Sequence, residues 1–161
     1  LVKGDSVMKG YYKDPQRTAE AFTEDGFFRT GDLGILRKNR YLYIIGRTKN
    51  VIVAASGENI YPEEVENKLN EHEAVLESLV LEVGGQLTAR VFLNSEYLEK
   101  HYHPDKTGSV NYQRNLNLLL EEIKTAANLN LSAFSRIKKI VQQREPFEKT
   151  ATQKIKRFLY Q

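Results

Sequence analysis

GRTKNVIVAASGENIYPEEVE, residues 46–66, decides how the rest of the chain is read. It divides into a turn, a short strand, a glycine-containing loop and the start of a helix. Gly46 can adopt backbone conformations closed to other residues. Arg47 to Asn50 are polar and separate two apolar runs, Tyr41 to Ile45 and Val51 to Ala55. Runs rich in β-branched residues, bounded by polar or glycine breaks, predict strands on both sides. Ser56-Gly57-Glu58-Asn59 then forms a loop. Pro62 suits the first helical position, and Glu63 and Glu64 place negative charge where the helix dipole favours it. Val65 and Leu69, four apart, give that helix one apolar face.

Upstream, Ile35-Leu36 and Tyr41 to Ile45 flank the polar Arg37-Lys38-Asn39-Arg40, which predicts a β-hairpin with a charged tip. Residues 1–24 read as a strand, a turn and a short helix spanning Gln16 to Phe22. DGFFRTGDLG at 25–34 holds two glycine turns around a pair of aromatics. Downstream, a helix is expected over 62–72. A second hairpin follows, Leu79 to Val83 and Leu87 to Leu93, turning at Gly84-Gly85. Residues 94–110 read as polar loop. His101 and His103 within it have no third histidine and no cysteine near them, so no metal site is expected. Leu116, Leu119, Leu120, Ile123 and Ala127 have helical spacing and predict an amphipathic helix over 112–128, packed on a sheet. Ile137, Ile140 and Val141 predict a further strand.

At 161 residues the chain is one medium domain, or one domain and a piece of another. It has no cysteine, which excludes disulfides and thiolate chemistry and suits a reducing compartment. No apolar run approaches the ~20 residues of a membrane-spanning helix. The absence of an initiator methionine and of a leader pattern suggests a piece of a longer protein. The net charge of +3 is uneven: residues 134–161 carry eight Lys or Arg against two Glu, a local +6, which leaves about −3 elsewhere. A basic tail is either a solvated face or a surface for phosphates, anionic lipid or nucleic acid. Interleaved aromatics of the kind that bind single strands are absent, and so is any nucleic-acid motif.

Three positions carry chemistry. Asp32, a carboxylate at a glycine turn, can accept two hydrogen bonds from a vicinal diol, although Asp beside Gly is commonly just a turn residue. Arg47 offers a rigid fork of donors for ribose or phosphate oxygens. Lys154, in KTATQKIKR at 149–157, is by itself a solvated surface charge.

Taken together, DGFFRTGDLG, GRTKNVIVAASGENIYPEEVE and KTATQKIKR resemble three motifs of the adenylate-forming enzymes, in the family's order. That superfamily includes acyl-CoA synthetases, the adenylation domains of nonribosomal peptide synthetases, and firefly luciferase. VMKGYYKDPQRTAEAF also resembles the segment upstream of the Thr-Gly-Asp motif in acyl-CoA synthetases, and SGENIYPEEVE is most similar to the long-chain fatty acyl-CoA ligases.

The resemblance implies an α+β fold: a small C-terminal domain over 48–161, with a short β-hairpin and a three-stranded sheet flanked by helices. Residues 1–47 would be the last strands of a large AMP-binding domain. It implies that Asp32 and Arg47 contact the ribose of ATP or AMP, that Lys49 is the hinge, and that Ser56 and Gly57 line the coenzyme A tunnel. Lys154 falls on the catalytic lysine. No residue of the chain is expected to ligate metal, and Mg²⁺ is held mainly by the upstream domain. The implied activity is a long-chain fatty acid–CoA ligase of lipid metabolism, using ATP, Mg²⁺ and coenzyme A and alternating two steps by domain rotation. The chain alone is expected to be inactive. Its partners would be fatty acid, ATP, coenzyme A and its own N-terminal domain, with no nucleic acid and room for peripheral membrane contact. The location would be cytoplasmic. An adenylation domain of the nonribosomal-peptide type, or another adenylate-former that does not use coenzyme A, is the alternative; a basic nucleic-acid-binding module is a remote one. Two positions depart from the pattern. Asn59 stands where many small-acid ligases carry lysine, and Gln153 replaces the usual glycine, which makes a positive φ there less accessible.

Overall fold

The computed structural model describes residues 1–38, 40–102 and 110–161. It divides into two compact units, Leu1–Lys49 and Asn50–Gln161. Asn39 and His103, named above, lie outside the described residues.

In the first unit, Val2 and Phe28 exchange backbone hydrogen bonds of 3.0 and 2.8 Å. Helix α1 spans Pro15–Ala21. The Asp14 side chain caps it, accepting from the Arg17 amide at 2.9 Å, and Pro15 takes the first helical position. Strands β1 (Asp32–Leu36) and β2 (Leu42–Arg47) pair antiparallel, with a register shift at Leu33/Gly34. The hairpin expected from Ile35 to Ile45 is thus present and extends further at its open end. Its apolar side chains are not buried: Ile35, Leu36, Tyr41, Leu42, Tyr43 and Ile44 are all exposed.

The second unit begins with β3 (Ile52–Val53) and β4 (Asn59–Ile60), a short antiparallel pair. Val51 to Ala55 read as a longer strand, but β4 offers only two residues to pair with. Helix α2 (Pro62–Asn70) starts on Pro62 and buries Val65 and Leu69 completely. Next come β5 (Val75–Val83) and β6 (Gln86–Leu93), joined through Gly84-Gly85, both at positive φ. The region after Asn94 is not the polar loop expected. It contains helix α3 (Ser95–Tyr102), whose first amides, at Glu96 and Tyr97, are capped by the Asn94 side chain at 2.9 and 3.3 Å. Helix α4 (Val110–Leu129) carries the predicted apolar face. Strand β7 (Lys139–Gln143) joins β6 in parallel, giving a three-stranded sheet in the order β5-β6-β7. Ile137 lies just before that strand and is buried through the Asn128 side chain, which bonds both its amide (2.8 Å) and its carbonyl (3.0 Å).

The sheet has a core on each face. Val80, Ala89 and Val91 pack with α2 and α4 through Val65, Leu69, Leu119 and Ile123. Alternate residues of β5, Leu79 and Leu81, face the other way and bury Phe147, with Ile155 and Tyr160 against them. That second, smaller core carries the C-terminal segment. The α+β organisation expected from the sequence is the one observed.

Candidate functional site

In the first unit the β1–β2 register sets Asp32 opposite Arg47. Gly31, at φ +74°, makes the turn into β1. Its carbonyl accepts from both the amide and the hydroxyl of Thr48, at 2.9 and 3.1 Å, while the Asp32 amide donates to Thr30 Oγ1 at 3.1 Å. The two ends of the hairpin are therefore tied together around the pair. Arg47 Nε lies 3.2 Å from Asp32 Oδ1, and the side chains keep 49% and 31% exposure, so the ion pair adds little stability. It holds an anionic acceptor and a fork of donors side by side with access to solvent, a set that fits the hydroxyls of a ribose.

Lys49 sits in the 3-10 turn Thr48–Asn50, is exposed, and is the last residue of the first unit. Just beyond it, Asn50 Nδ2 donates to the Glu63 carboxylate at the start of α2. Ser56 and Gly57 form the tip of the β3–β4 hairpin. Gly57 is at φ +92° with nothing near the position of a Cβ, and its amide donates to Ala54 O at 2.8 Å. The Ser56 hydroxyl donates to the Glu58 carboxylate. The tip is small, exposed and bare of bulky side chains, as close passage of a thin ligand requires.

Lys154 lies on a hairpin of the C-terminal segment. Lys149 and Ile155 form an antiparallel bridge. Within it the Thr150 amide donates to Lys154 O at 2.8 Å, the Gln153 amide to Thr150 O at 2.9 Å, and the Lys154 amide to Thr150 Oγ1 at 3.2 Å. Gln153 has φ +61°, so the loop keeps a left-handed residue where glycine was expected. The Lys154 side chain is exposed and, among the described residues, makes no ion pair or hydrogen bond.

The two ends of the KTATQKIKR motif, Lys149 and Arg157, hold this hairpin through two glutamates that no motif singled out. Lys149 Nζ contacts Glu77 Oε1 on β5 at 2.6 Å. Arg157 bridges Glu66 Oε1 on α2 (2.7 Å) and the Val80 carbonyl on β5 (2.6 Å). Burial pushes the Glu66 carboxyl up to about 7, with Arg157 and the Val80 amide pulling the other way.

No cluster of His, Cys, Asp or Glu suited to a metal ion occurs among the described residues. His101 stacks on Tyr97 with ring centroids 4.3 Å apart. No described helix is long and apolar enough to cross a membrane.

A sheet of this order, flanked by helices and followed by a lysine-bearing hairpin, has the fold of the C-terminal domain of adenylate-forming enzymes. The chain superposes on o-succinylbenzoate coenzyme A synthetase of Bacillus subtilis, solved in complex with AMP, with a TM-score of 0.71 and 28% identity, over 97% of this chain and 28% of that one. It is 35% identical over 161 residues to probable acyl-activating enzyme 9 of Arabidopsis thaliana, covering 99% of this chain and 27% of the relative. Over 80 residues it is 49% identical to long-chain-fatty-acid–CoA ligase of Bacillus subtilis (50% of this chain, 14% of the relative). It is also 49% identical over 83 residues to sulfoacetate–CoA ligase of Cupriavidus necator (52% and 16%). No protein-family model matches the chain. The chain is a homologue of the acyl-activating, adenylate-forming ligases. It spans about a quarter of the length of the relative it matches end to end.

Proposed function

We propose that this chain is the C-terminal part of an ATP-dependent acid–thiol ligase, acting on long-chain fatty acids, and that Lys154 serves its first half-reaction. The observation that carries this reading is the Lys154 hairpin. It presents an exposed ammonium, unpartnered among the described residues, on a backbone held at both ends, within the motif KTATQKIKR. In the first step a carboxylate attacks the α-phosphate of ATP, the bond to pyrophosphate breaks, and an acyl-adenylate forms. A compact ammonium stabilises the negative charge that gathers on the phosphate and carboxylate oxygens. Asp32 and Arg47 would hold the ribose.

In the second step the thiol of coenzyme A attacks the acyl carbonyl and AMP leaves, with the bare Ser56-Gly57 tip guiding the thin pantetheine arm. Lys49 would be the hinge that exchanges the two loops. In this reading Mg²⁺, which would neutralise pyrophosphate charge, is held mainly by upstream residues. Residues 1–47 would complete the large domain, and the exposed apolar residues Ile35, Leu36, Leu42 and Ile44 support this, since such a surface calls for a packing partner. The long-chain assignment rests on the wording of SGENIYPEEVE and the half-length match to the Bacillus long-chain ligase.

The test uses the full-length protein. ATP–pyrophosphate exchange is measured with a panel of carboxylic acids, and thioester formation is measured separately from preformed acyl-AMP. Lys154→Ala is expected to abolish exchange and spare thioester formation. Normal exchange by that variant removes the assignment of Lys154, and a panel led by short or sulfonated acids removes the long-chain one. The isolated 161-residue chain is expected to do neither step.

A further inference from the structure

We propose that Lys149 with Glu77, and Arg157 with Glu66, are positioning residues that fix the Lys154 hairpin to the sheet and so set where its ammonium is presented. This rests on the role given to Lys154 above. The hairpin tip, Thr150 to Lys154, is exposed and belongs to neither core. Its geometry is therefore fixed from its two ends.

At the entering end, a single carboxylate on β5 holds two residues. Glu77 Oε1 takes the Lys149 ammonium at 2.6 Å, and Glu77 Oε2 accepts from the Phe147 amide at 3.2 Å. At the leaving end, the Arg157 guanidinium spans two elements, donating to Glu66 on α2 at 2.7 Å and to the Val80 carbonyl on β5 at 2.6 Å. Glu66 Oε1 closes the circuit by accepting from the Val80 amide at 2.7 Å. All four side chains are largely buried, at 30% and 18% exposure for Lys149 and Glu77, and 16% and 13% for Arg157 and Glu66. Charge pairs in such places are weakly screened and keep one geometry. Phe147 and Ile155 sit on Leu79 and Leu81 beneath the hairpin, so the ends cannot slide along the sheet without opening that small core. A lysine stabilising charge at a reacting phosphate needs placement to within about 1 Å, and misplacement by that much costs up to about a hundredfold in rate.

The variants are Lys149→Gln, Glu77→Gln, the pair together, and Arg157→Lys, which keeps the charge but loses the fork. In the full-length enzyme each is expected to lower the kcat of ATP–pyrophosphate exchange about tenfold. Thioester formation from preformed acyl-AMP should stay within about twofold, because that step does not use Lys154. Lys149→Gln with Glu77→Gln should be no worse than either alone, since both break one contact. Amide hydrogen exchange supplies a readout independent of activity: the Thr150 and Lys154 amides should exchange about tenfold faster in each variant. Unchanged amide exchange overturns the proposal. So does unchanged pyrophosphate exchange, an equal fall in both half-reactions, or multiplicative losses in the double variant. If Lys154→Ala itself exchanges normally, it is the role of Lys154 that fails; the Thr150 and Lys154 amides then decide alone whether these contacts hold the hairpin.

Discussion

Glu66 makes the stability of the second unit depend on pH in an unusual direction. Its side chain is 13% exposed, in contact with Arg157 at 2.7 Å, and its carboxyl is raised from 4.5 to about 7 because burial outweighs the guanidinium. At ~1.4 kcal/mol per pKa unit, a rise of that size corresponds to about 3 kcal/mol. The folded chain binds this proton more tightly than the unfolded chain. The contribution is therefore complete below 4.5, falls as pH rises from 4.5 to about 7, and is gone above that. Glu66→Gln cannot titrate. Its stability relative to wild type should rise by about 3 kcal/mol between pH 4.5 and 8, whatever the constant cost of facing Arg157 with an amide. The assay is urea unfolding of both proteins at several pH values across that range, followed by a probe in the second unit. Taking the difference cancels every other titrating group. A flat difference, or one in which wild type gains as pH rises, would refute the reasoning and show that Arg157 outweighs burial.

Three further substitutions have defined outcomes. Leu69→Ala, at a side chain with 0% exposure between α2 and the sheet, should cost about 2–5 kcal/mol in urea unfolding through the cavity it leaves. Gln153→Gly removes a side chain from φ +61° and should leave the loop shape unchanged; relief of about 1 kcal/mol of backbone strain, offset by the greater freedom of glycine when unfolded, predicts a melting-temperature shift of no more than a few degrees. Gly57→Val, at φ +92°, forces a β-branched residue into a strained backbone at the hairpin tip. Thioester formation should fall by about tenfold or more while pyrophosphate exchange persists, measured as separate half-reactions in the full-length protein.

What the sequence makes legible here is local, and what it hides is pairing across long separations. Helix α2 announces itself through Pro62, Glu63, Glu64 and the Val65/Leu69 spacing, all within eight residues, and it is found where those signals put it. The β5–β6 hairpin is equally plain because Gly84-Gly85 and two alternating runs lie side by side. Helix α3 was missed although its cap is local. Asn94 does cap it, but with only Leu98 buried in Ser95–Tyr102 there is no apolar period to read. The short length of β3 had no local sign, because it is set by β4 and not by Val51 to Ala55 themselves. Asp32 and Arg47 could each be picked as a polar residue at a turn, yet their contact depends on a hairpin register that includes a shift at Leu33/Gly34. The hairpin that carries Lys154 shows the limit most clearly. Its motif is contiguous and readable, but the carboxylates that hold it lie 72 and 91 residues away in sequence, on β5 and α2 respectively. Neither Glu66 nor Glu77 differs, by type or spacing, from exposed glutamates nearby such as Glu64 and Glu73, and it is the fold that turns them inward. The tolerance of Gln153 at φ +61° follows from the same arrangement, since a hairpin closed between Thr150 and Lys154 and tied down at both ends can impose a backbone conformation that its own residue does not prefer.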